Sequence, residues 1–295
     1  MSKTSIIWGA AFALSAIAAV ATAQHRFRYH DETTKEPLRL VPATVDPGKN
    51  RASVKENNTT IRVKGNGIPD HLVGQFPNRG NPHQIERQKV NLKVPTAPET
   101  KGTFTPLRMG WNFGVSLNGV VFDPLAAEFW HGNPRSGWSY NALGGAIALG
   151  LDANYAHVQP NGKYHYHGVP TGLIELLGWS PAAHSPLIGY AADGFPIYAR
   201  TGVVDGKVID MTPSYRLKSG TRPGGNAPNG RYDGTFNEDY VYVQGHGNLD
   251  QCNGAFTVST EYPNGTYAYF LTEDYPVVPR CFTGTPDQSF RFGRR

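Results

Sequence analysis

Two histidines stand two residues apart in the segment Tyr164-His165-Tyr166-His167. Alternate residues of a β-strand face opposite sides of its sheet, so both imidazoles would point one way and both phenols the other. Residues two apart on one face are separated by about 7 Å at Cα, which lets two imidazole nitrogens converge on one ion. Neutral imidazole binds zinc, copper, iron and nickel. The segment therefore predicts a transition-metal site, with copper or zinc favoured and iron as an alternative.

His157 adds to this prediction. It lies eight residues before His165, across the tight turn Pro160-Asn161-Gly162, and in a hairpin it would face the same strand surface. The alternative interpretation is an ordinary strand whose histidines are exposed or hydrogen-bonded. Because a zinc or copper site needs a third or fourth ligand, we expect His157 or His71 to complete the shell.

Further candidates come from turns and loops. His71 lies in the turn-rich stretch 67–78, a setting in which ligands are often bound. Asp193 stands in a sharp Asp-Gly turn and could orient a ligating histidine, although such a pair is often simply a turn. The other possible ligands are His184, His131, Asp152 and Glu175.

Residues 1–23 are typical of a secretory signal peptide. Lys3 precedes an apolar run over residues 6–20, and Ala21-Thr22-Ala23 offers a small–x–small cleavage site. The run is shorter than the roughly 20 residues that a membrane span needs. We therefore expect a mature protein that begins at Gln24, is periplasmic or secreted, and has no stable membrane span after processing.

Cys252 and Cys281 are the two cysteines of the chain. In an oxidising compartment they are expected to form one disulfide, which would stabilise the fold by about 3–4 kcal/mol. Two thiolate metal ligands are the alternative. If the cysteines are oxidised, a metal must be held by histidine and oxygen ligands.

The net charge of +5 comes from basic residues scattered along the chain. No basic run is interleaved with aromatic residues as in a nucleic-acid groove, so no nucleic acid is expected as a partner. A metal ion is the predicted partner, and the sequence does not identify a protein partner.

The composition favours a mostly β fold with long loops. The chain has 34 glycines and 23 prolines, and 12% of its residues are aromatic. Asn118-Gly119 predicts a hairpin, and residues 188–198 and 240–243 read as strands. A helix is predicted over 142–151, and residues 173–177 are expected to form a short helix or a strand.

An internal repeat supports a sandwich- or barrel-like architecture. Residues 160–167 (PNGKYHYH) match residues 263–270 (PNGTYAYF) except at three places, and Leu151-Asp152 corresponds to Leu249-Asp250 with unequal spacing. Each copy predicts a turn that leads into a strand of alternating tyrosines. The second copy has no histidines, so the tyrosine face is expected to pack in the core.

These motifs resemble the YHYH-domain protein family, named for the tetrapeptide at 164–167. The resemblance extends over about 55–285 and is carried by GNGIPDH at 65–71, FPN at 76–78, NGKYHYHG at 161–168, ADGFPIY at 192–198, DQCNG at 250–254, GTYAYF at 265–270 and RCF at 280–282.

The resemblance implies a single domain in an exported protein, from a family whose function is largely undefined. With the β domain at 55–285, the rest of the chain divides into the signal peptide at 1–23, a flexible lead-in at 24–54 and a C-terminal tail at 286–295. Some members of the family also carry histidines in the second tyrosine strand, where this chain has Ala268 and Phe270. A site that used both strands would be reduced or altered here.

Three functional hypotheses remain open on the sequence. The favoured one is an extracytoplasmic metal-binding protein, which could be a metalloenzyme. The alternative is a metal-free glycan- or peptide-binding module of the cell envelope that uses aromatic side chains such as Trp130, Trp138 and Trp179. The third is a purely structural envelope protein. No nucleophile motif or phosphate loop is present, so enzymatic activity is left undecided.

Overall fold

The computed structural model describes residues 36–292. The predicted signal peptide, residues 24–35 of the predicted lead-in and residues 293–295 of the tail lie outside this range. No helix within it is long and apolar enough to cross a bilayer.

Short strands dominate the described residues. In chain order they are β1 (Ser53–Glu56), β2 (Thr60–Gly65), β3 (Val90–Pro95), β4 (Thr105–Pro106), β5 (Gly114–Ser116), β6 (Val121–Phe122), β7 (Ala156–Val158), β8 (Tyr164–Tyr166), β9 (Gly189–Ala191), β10 (Pro196–Ala199), β11 (Thr201–Val204), β12 (Lys207–Asp210), β13 (Tyr215–Leu217), β14 (Tyr240–Tyr242), β15 (Gly254–Thr257), β16 (Thr266–Leu271) and β17 (Cys281–Phe282). The helical elements are α1 (Thr171–Leu176) and short 3₁₀ helices at Trp130–Gly132, Asn237–Asp239 and Gln288–Phe290.

Eight strands form the main sheet, in the order β15-β16-β10-β9-β5-β6-β8-β7. The pairs β6–β8 and β10–β16 are parallel, and the other neighbours are antiparallel. The sheet is open, because its edge strands β15 and β7 do not pair with each other. Smaller sheets combine β1-β2-β3, β11-β12, β13-β14 and β17-β4.

A second layer covers the main sheet, so the predicted mostly β, sandwich-like fold is confirmed. Strands β2 and β3 alternate buried and exposed residues, as expected for a sheet with one solvated face. Their buried side chains, such as Ile61 and Val94, belong to the same apolar cluster as Phe113, Val115 and Ile197 of the main sheet. Strands β5, β9 and β10 are buried at every residue, which explains their continuous apolar character.

The main sheet consists of two copies of one four-stranded unit. The first copy is β5, β6, β7 and β8, and the second copy is β9, β10, β15 and β16. Each copy begins with a hairpin that turns at Asn118-Gly119 or Asp193-Gly194, and the predicted hairpin at Asn118-Gly119 is thereby confirmed. The copies meet at the antiparallel β5–β9 pair, where Val115 is opposite Tyr190. The strand order is symmetric about this pair.

The two tyrosine hairpins share their side-chain anchors. In the first copy the hydroxyl of Tyr164 donates to Asp152 Oδ2 at 2.7 Å. In the second copy the hydroxyl of Tyr267 donates to Asp250 Oδ2 at 2.9 Å. The internal repeat is therefore structural, and its unequal spacing reflects the longer β15–β16 hairpin.

Two local predictions differ from the structure. Residues 142–151 form turns, because Gly145 and Gly150 have φ angles of 78° and 64°, outside the helical region. The described part of the predicted flexible lead-in pairs with the domain: Val41 forms a bridge with Asp152, and Val45 forms one with Val73. Residues 286–292 also pack on the domain, where Phe290 is fully buried. By contrast, α1 confirms the helical option for residues 173–177.

Candidate metal centre

The hairpin β7–β8 brings three histidines to one face of the main sheet. His157 on β7 lies directly opposite His165 on β8. His167 follows β8, where its backbone N–H donates to the carbonyl of Tyr155 at 2.8 Å. Because side chains alternate along a strand, His167 shares the face of His165. We refer to His157, His165 and His167 as the histidine triad.

The Nε2 atoms of the triad converge. Nε2 of His167 lies 3.0 Å from Nε2 of His165 and 3.1 Å from Nε2 of His157. One potential ligand atom from each ring lies within 4.8 Å of the other two. Bonds of 2.0–2.1 Å from a tetrahedral zinc ion would place such nitrogens about 3.3 Å apart. The observed separations are within a few tenths of an ångström of that value.

The outer nitrogens determine which ring atoms carry protons. Nδ1 of His157 lies 2.9 Å from the carbonyl oxygen of Leu149, and Nδ1 of His165 lies 3.3 Å from that of Lys163. A carbonyl oxygen only accepts, so both Nδ1 atoms donate, and in the neutral rings both Nε2 atoms are acceptors. This is the arrangement found in metal-ligating histidines, whose other nitrogen donates to a carbonyl or carboxylate.

One proton cannot satisfy the converging nitrogens. A proton on Nε2 of His167 could be donated to His157 or to His165, but not to both. At least one of the two contacts would then bring nitrogen lone pairs together. A metal ion bound by all three nitrogens would remove this conflict, because each lone pair would point at the ion.

Burial keeps His165 and His167 neutral. His165 and His167 are 1% and 3% exposed, and His157 is half-buried. Burial lowers the pKa of His165 well below its ordinary value, and the nearby His167 and His157 lower it further. Burial likewise lowers the pKa of His167, with His157 and Arg280 acting in the same direction. Neutral imidazoles are the form that binds metals.

His71 lies on the opposite face of β8 from the triad. Its Nε2 is 2.7 Å from the hydroxyl of Tyr166, and its Nδ1 is 2.8 Å from the carbonyl of Leu72. Tyr166 faces away from the histidines because it alternates with them along the strand. The prediction that His71 could complete the shell is therefore not supported by its position; it is a hydrogen-bonding partner of the tyrosine face.

Asp193 does not orient the triad either. Its Oδ2 accepts from the hydroxyl of Tyr269 at 2.6 Å and from the backbone N–H of Gly284 at 2.9 Å. It occupies in the second copy the place that Asn118 holds in the first, where Asn118 Nδ2 donates to the hydroxyl of Tyr166 at 3.0 Å. The Asp-Gly turn thus anchors a buried tyrosine.

The other candidate ligands also have separate positions. The imidazole of His184 lies 3.0 Å from Thr257 Oγ1, and that of His131 packs edge-on against Trp130. Asp152 anchors Tyr164, as described above. Glu175 is exposed on α1.

Three polar side chains near the triad were not predicted as site residues from the sequence: those of Asp123, Gln159 and Lys163. Asp123 follows β6, and its backbone N–H donates to the carbonyl of Tyr166 at 2.9 Å. Alternation after Phe122, which packs on Tyr166, directs Asp123 to the histidine face. Its Oδ2 accepts from Nε2 of Gln159 at 3.3 Å. Burial raises the pKa of Asp123 to about 6, and the charge of Lys163 opposes that rise.

The second copy has the same hairpin without imidazoles. The β15–β16 register places Ala255 opposite Ala268, as His157 is opposite His165 in the first copy. Phe270 takes the place of His167, and its backbone N–H donates to the carbonyl of Asn253 at 2.9 Å. Ala268 and Phe270 are fully buried in an apolar cluster with Tyr198, Met211 and Leu249. The hairpin therefore folds without histidines, which are an addition to its framework.

Cys252 and Cys281 form the predicted disulfide, with their Cα atoms 5.2 Å apart. The bond joins the start of the second tyrosine hairpin to β17. Disulfides are typical of proteins in oxidising compartments outside the cytoplasm. Because both thiols are oxidised, they are excluded as thiolate metal ligands.

Fold and site define a class: a mostly β protein with a duplicated four-stranded unit, one copy of which carries a buried group of three histidines. The family model described as YHYH protein matches residues 91–284, so the chain belongs to the YHYH protein family. The triad and both tyrosine hairpins lie within the matched residues. A comparison with curated proteins finds no match, and a comparison with solved structures finds none.

Proposed function

We propose that this chain is an extracytoplasmic metal-binding protein that holds one copper or zinc ion between the Nε2 atoms of the histidine triad. The observation that carries the proposal is the convergence of three imidazole nitrogens that a single proton cannot satisfy. The outer nitrogens of His157 and His165 are oriented by the carbonyls of Leu149 and Lys163, as in known histidine metal sites.

The donor set favours copper or zinc over iron. Three imidazoles suit zinc and copper, whereas non-haem iron sites commonly combine two histidines with a carboxylate. Within residues 36–292, the group of side chains suited to hold a metal contains histidines alone. Three protein ligands leave a fourth position on a tetrahedral ion, which a water or a further ligand would occupy.

Export is supported by two features. Residues 1–23 have the pattern of a cleaved signal peptide. The disulfide between Cys252 and Cys281 requires oxidising conditions. We infer a periplasmic or secreted protein.

The packing of the tryptophans does not favour the alternative of a metal-free glycan- or peptide-binding module. Trp138 packs edge-on against Phe236, with the ring centroids 5.6 Å apart. Trp179 donates its indole N–H to the carbonyl of Ala199 and carries Arg200 over its ring. Both rings are occupied by the chain itself.

Elemental analysis of the mature protein, purified without an affinity tag, tests the proposal. The matched variant is His157→Ala/His165→Ala/His167→Phe, because the second copy has these residues at the corresponding positions. We expect about one equivalent of copper or zinc in the parent and none in the folded variant. No metal in the parent after incubation with copper and with zinc would refute the proposal, and equal metal in both proteins would refute the site.

A further inference from the structure

Arg280 is a half-buried cation whose position is fixed by the fold. It precedes Cys281, which is tied by the disulfide, and its carbonyl accepts from the backbone N–H of Leu107 at 2.8 Å. Its guanidinium lies 5.1 Å from the ring centroid of Tyr275. That ring in turn stacks on Tyr240 at a centroid distance of 3.8 Å. The backbone and one face of the guanidinium are thus positioned by the fold.

Two donor atoms of the Arg280 guanidinium are not used within the described part of the chain. Its Nε and Nη1 atoms are buried and have no hydrogen-bond acceptor among residues 36–292. Arg222, a buried arginine over an aromatic ring, differs in this respect: its Nε donates to Asp239 Oδ1 at 2.8 Å and its Nη1 to the carbonyl of Asn229 at 3.0 Å. Buried donors are normally paired, so Arg280 is suited to an acceptor that residues 36–292 do not supply.

The side-chain charges around Arg280 leave a divalent ion at the triad without a balancing anion. The charge of Arg280 lowers the pKa of His167, of Asp123 and of Glu238, so it acts on the triad and on two carboxyl groups. Lys163 also acts on Asp123, and its Nζ donates to Asn112 Oδ1 at 3.2 Å. A divalent ion on three neutral imidazoles would add two further charges. The carboxylates of Asp123 and Glu238 can balance the two cationic side chains but not the ion as well, so an anion would be attracted beside the ion.

We propose that Arg280 binds the oxyanion of a carboxylate, phosphate or sulfate group beside the metal ion, so that the ligand of this centre is anionic. The proposal rests on the proposed metal site. The guanidinium presents its donors in a planar fork that matches carboxylate and phosphate oxygens, whereas a lysine would offer only a point charge. The anionic group would pair with the unused Nε and Nη1 donors.

Calorimetric titration of the zinc-loaded protein with inorganic phosphate, sulfate and acetate tests this inference. Arg280→Met keeps an apolar contact with Tyr275 but removes the charge and the fork, and Arg280→Lys keeps only the charge. We expect at least one probe to bind the parent and to bind Arg280→Met at least tenfold more weakly. Arg200→Met is the matched control, since Arg200 stacks on Trp179 at 4.3 Å and pairs with Glu273. It should bind the probe as the parent does.

Metal content measured on the same samples separates the two proposals. Arg280→Met should retain its zinc, because Arg280 is not a ligand. Failure of all three probes to bind the zinc-loaded parent would overturn the anion site, as would equal affinity in a folded Arg280→Met variant. A parent that takes up no zinc yet binds phosphate through Arg280 would refute the metal centre and retain the anion site.

Discussion

Replacing Tyr166 with phenylalanine removes one hydroxyl from the buried face of β8 that is opposite the histidine triad. This hydroxyl donates to Nε2 of His71 at 2.7 Å and accepts from Nδ2 of Asn118 at 3.0 Å. Leaving the buried His71 nitrogen without a donor costs about 1–3 kcal/mol, and losing the amide hydrogen bond costs about 0.5–1.5 kcal/mol. We therefore expect the free energy of unfolding to fall by about 2–4 kcal/mol, with the metal content unchanged.

Urea denaturation of the parent and the Tyr166→Phe variant measures this difference, provided that the slope with denaturant is the same for both. Tyr242→Phe is the control, because the Tyr242 ring packs on Tyr215 and its hydroxyl has no hydrogen-bond partner among residues 36–292. It should change the free energy by less than about 0.5 kcal/mol. Loss of metal from a folded Tyr166→Phe variant would refute the assignment of the two faces. A loss of stability no larger than that of the control would refute the hydrogen-bond reasoning.

Three further predictions follow from the site and its copy. Because burial lowers the pKa of His165 and of His167, the unfolded chain takes up protons first as the pH falls below about 6.5. In urea titrations of the metal-free parent, the free energy of unfolding should therefore fall by up to about 1.4 kcal/mol per pH unit for each such histidine. In the variant without the triad it should fall less steeply with pH. Changing Ala255, Ala268 and Phe270 to histidine should raise the metal found by elemental analysis to about two equivalents, and an unchanged amount in a folded variant would contradict the equivalence of the copies. Replacing Cys252 and Cys281 with serine should lower the free energy of unfolding by about 3–4 kcal/mol; loss of metal from the folded variant would show that the centre depends on the disulfide.

The convergence of the triad follows from local rules, which is why the sequence predicts it. Strand alternation places His165 and His167 on one face, and the turn at Pro160-Asn161-Gly162 reverses the chain so that His157 pairs with His165. The burial of Tyr164 follows from the same alternation. None of these features depends on a distant segment of the chain.

Long-range pairing determines the rest of the site. Asp123 reaches the histidine face because β6 pairs in parallel with β8, and such a pairing has no local signature. Arg280 directly precedes β17, which pairs with β4, and it lies more than a hundred residues from the triad in the sequence. His71 is of a residue type that binds metals, but its position beside Tyr166 depends on how its loop packs. The equivalence of Asn118 and Asp193 is likewise visible only in the sheet.

X-ray absorption at the edge of the bound metal, with a crystal structure of the same loaded protein, tests the central claim most directly. We predict one ion coordinated by Nε2 of His157, His165 and His167 at about 2.0–2.1 Å, with no sulfur neighbour. An ion held by His71, or a loaded protein in which any triad nitrogen lies outside bonding distance, would contradict the account.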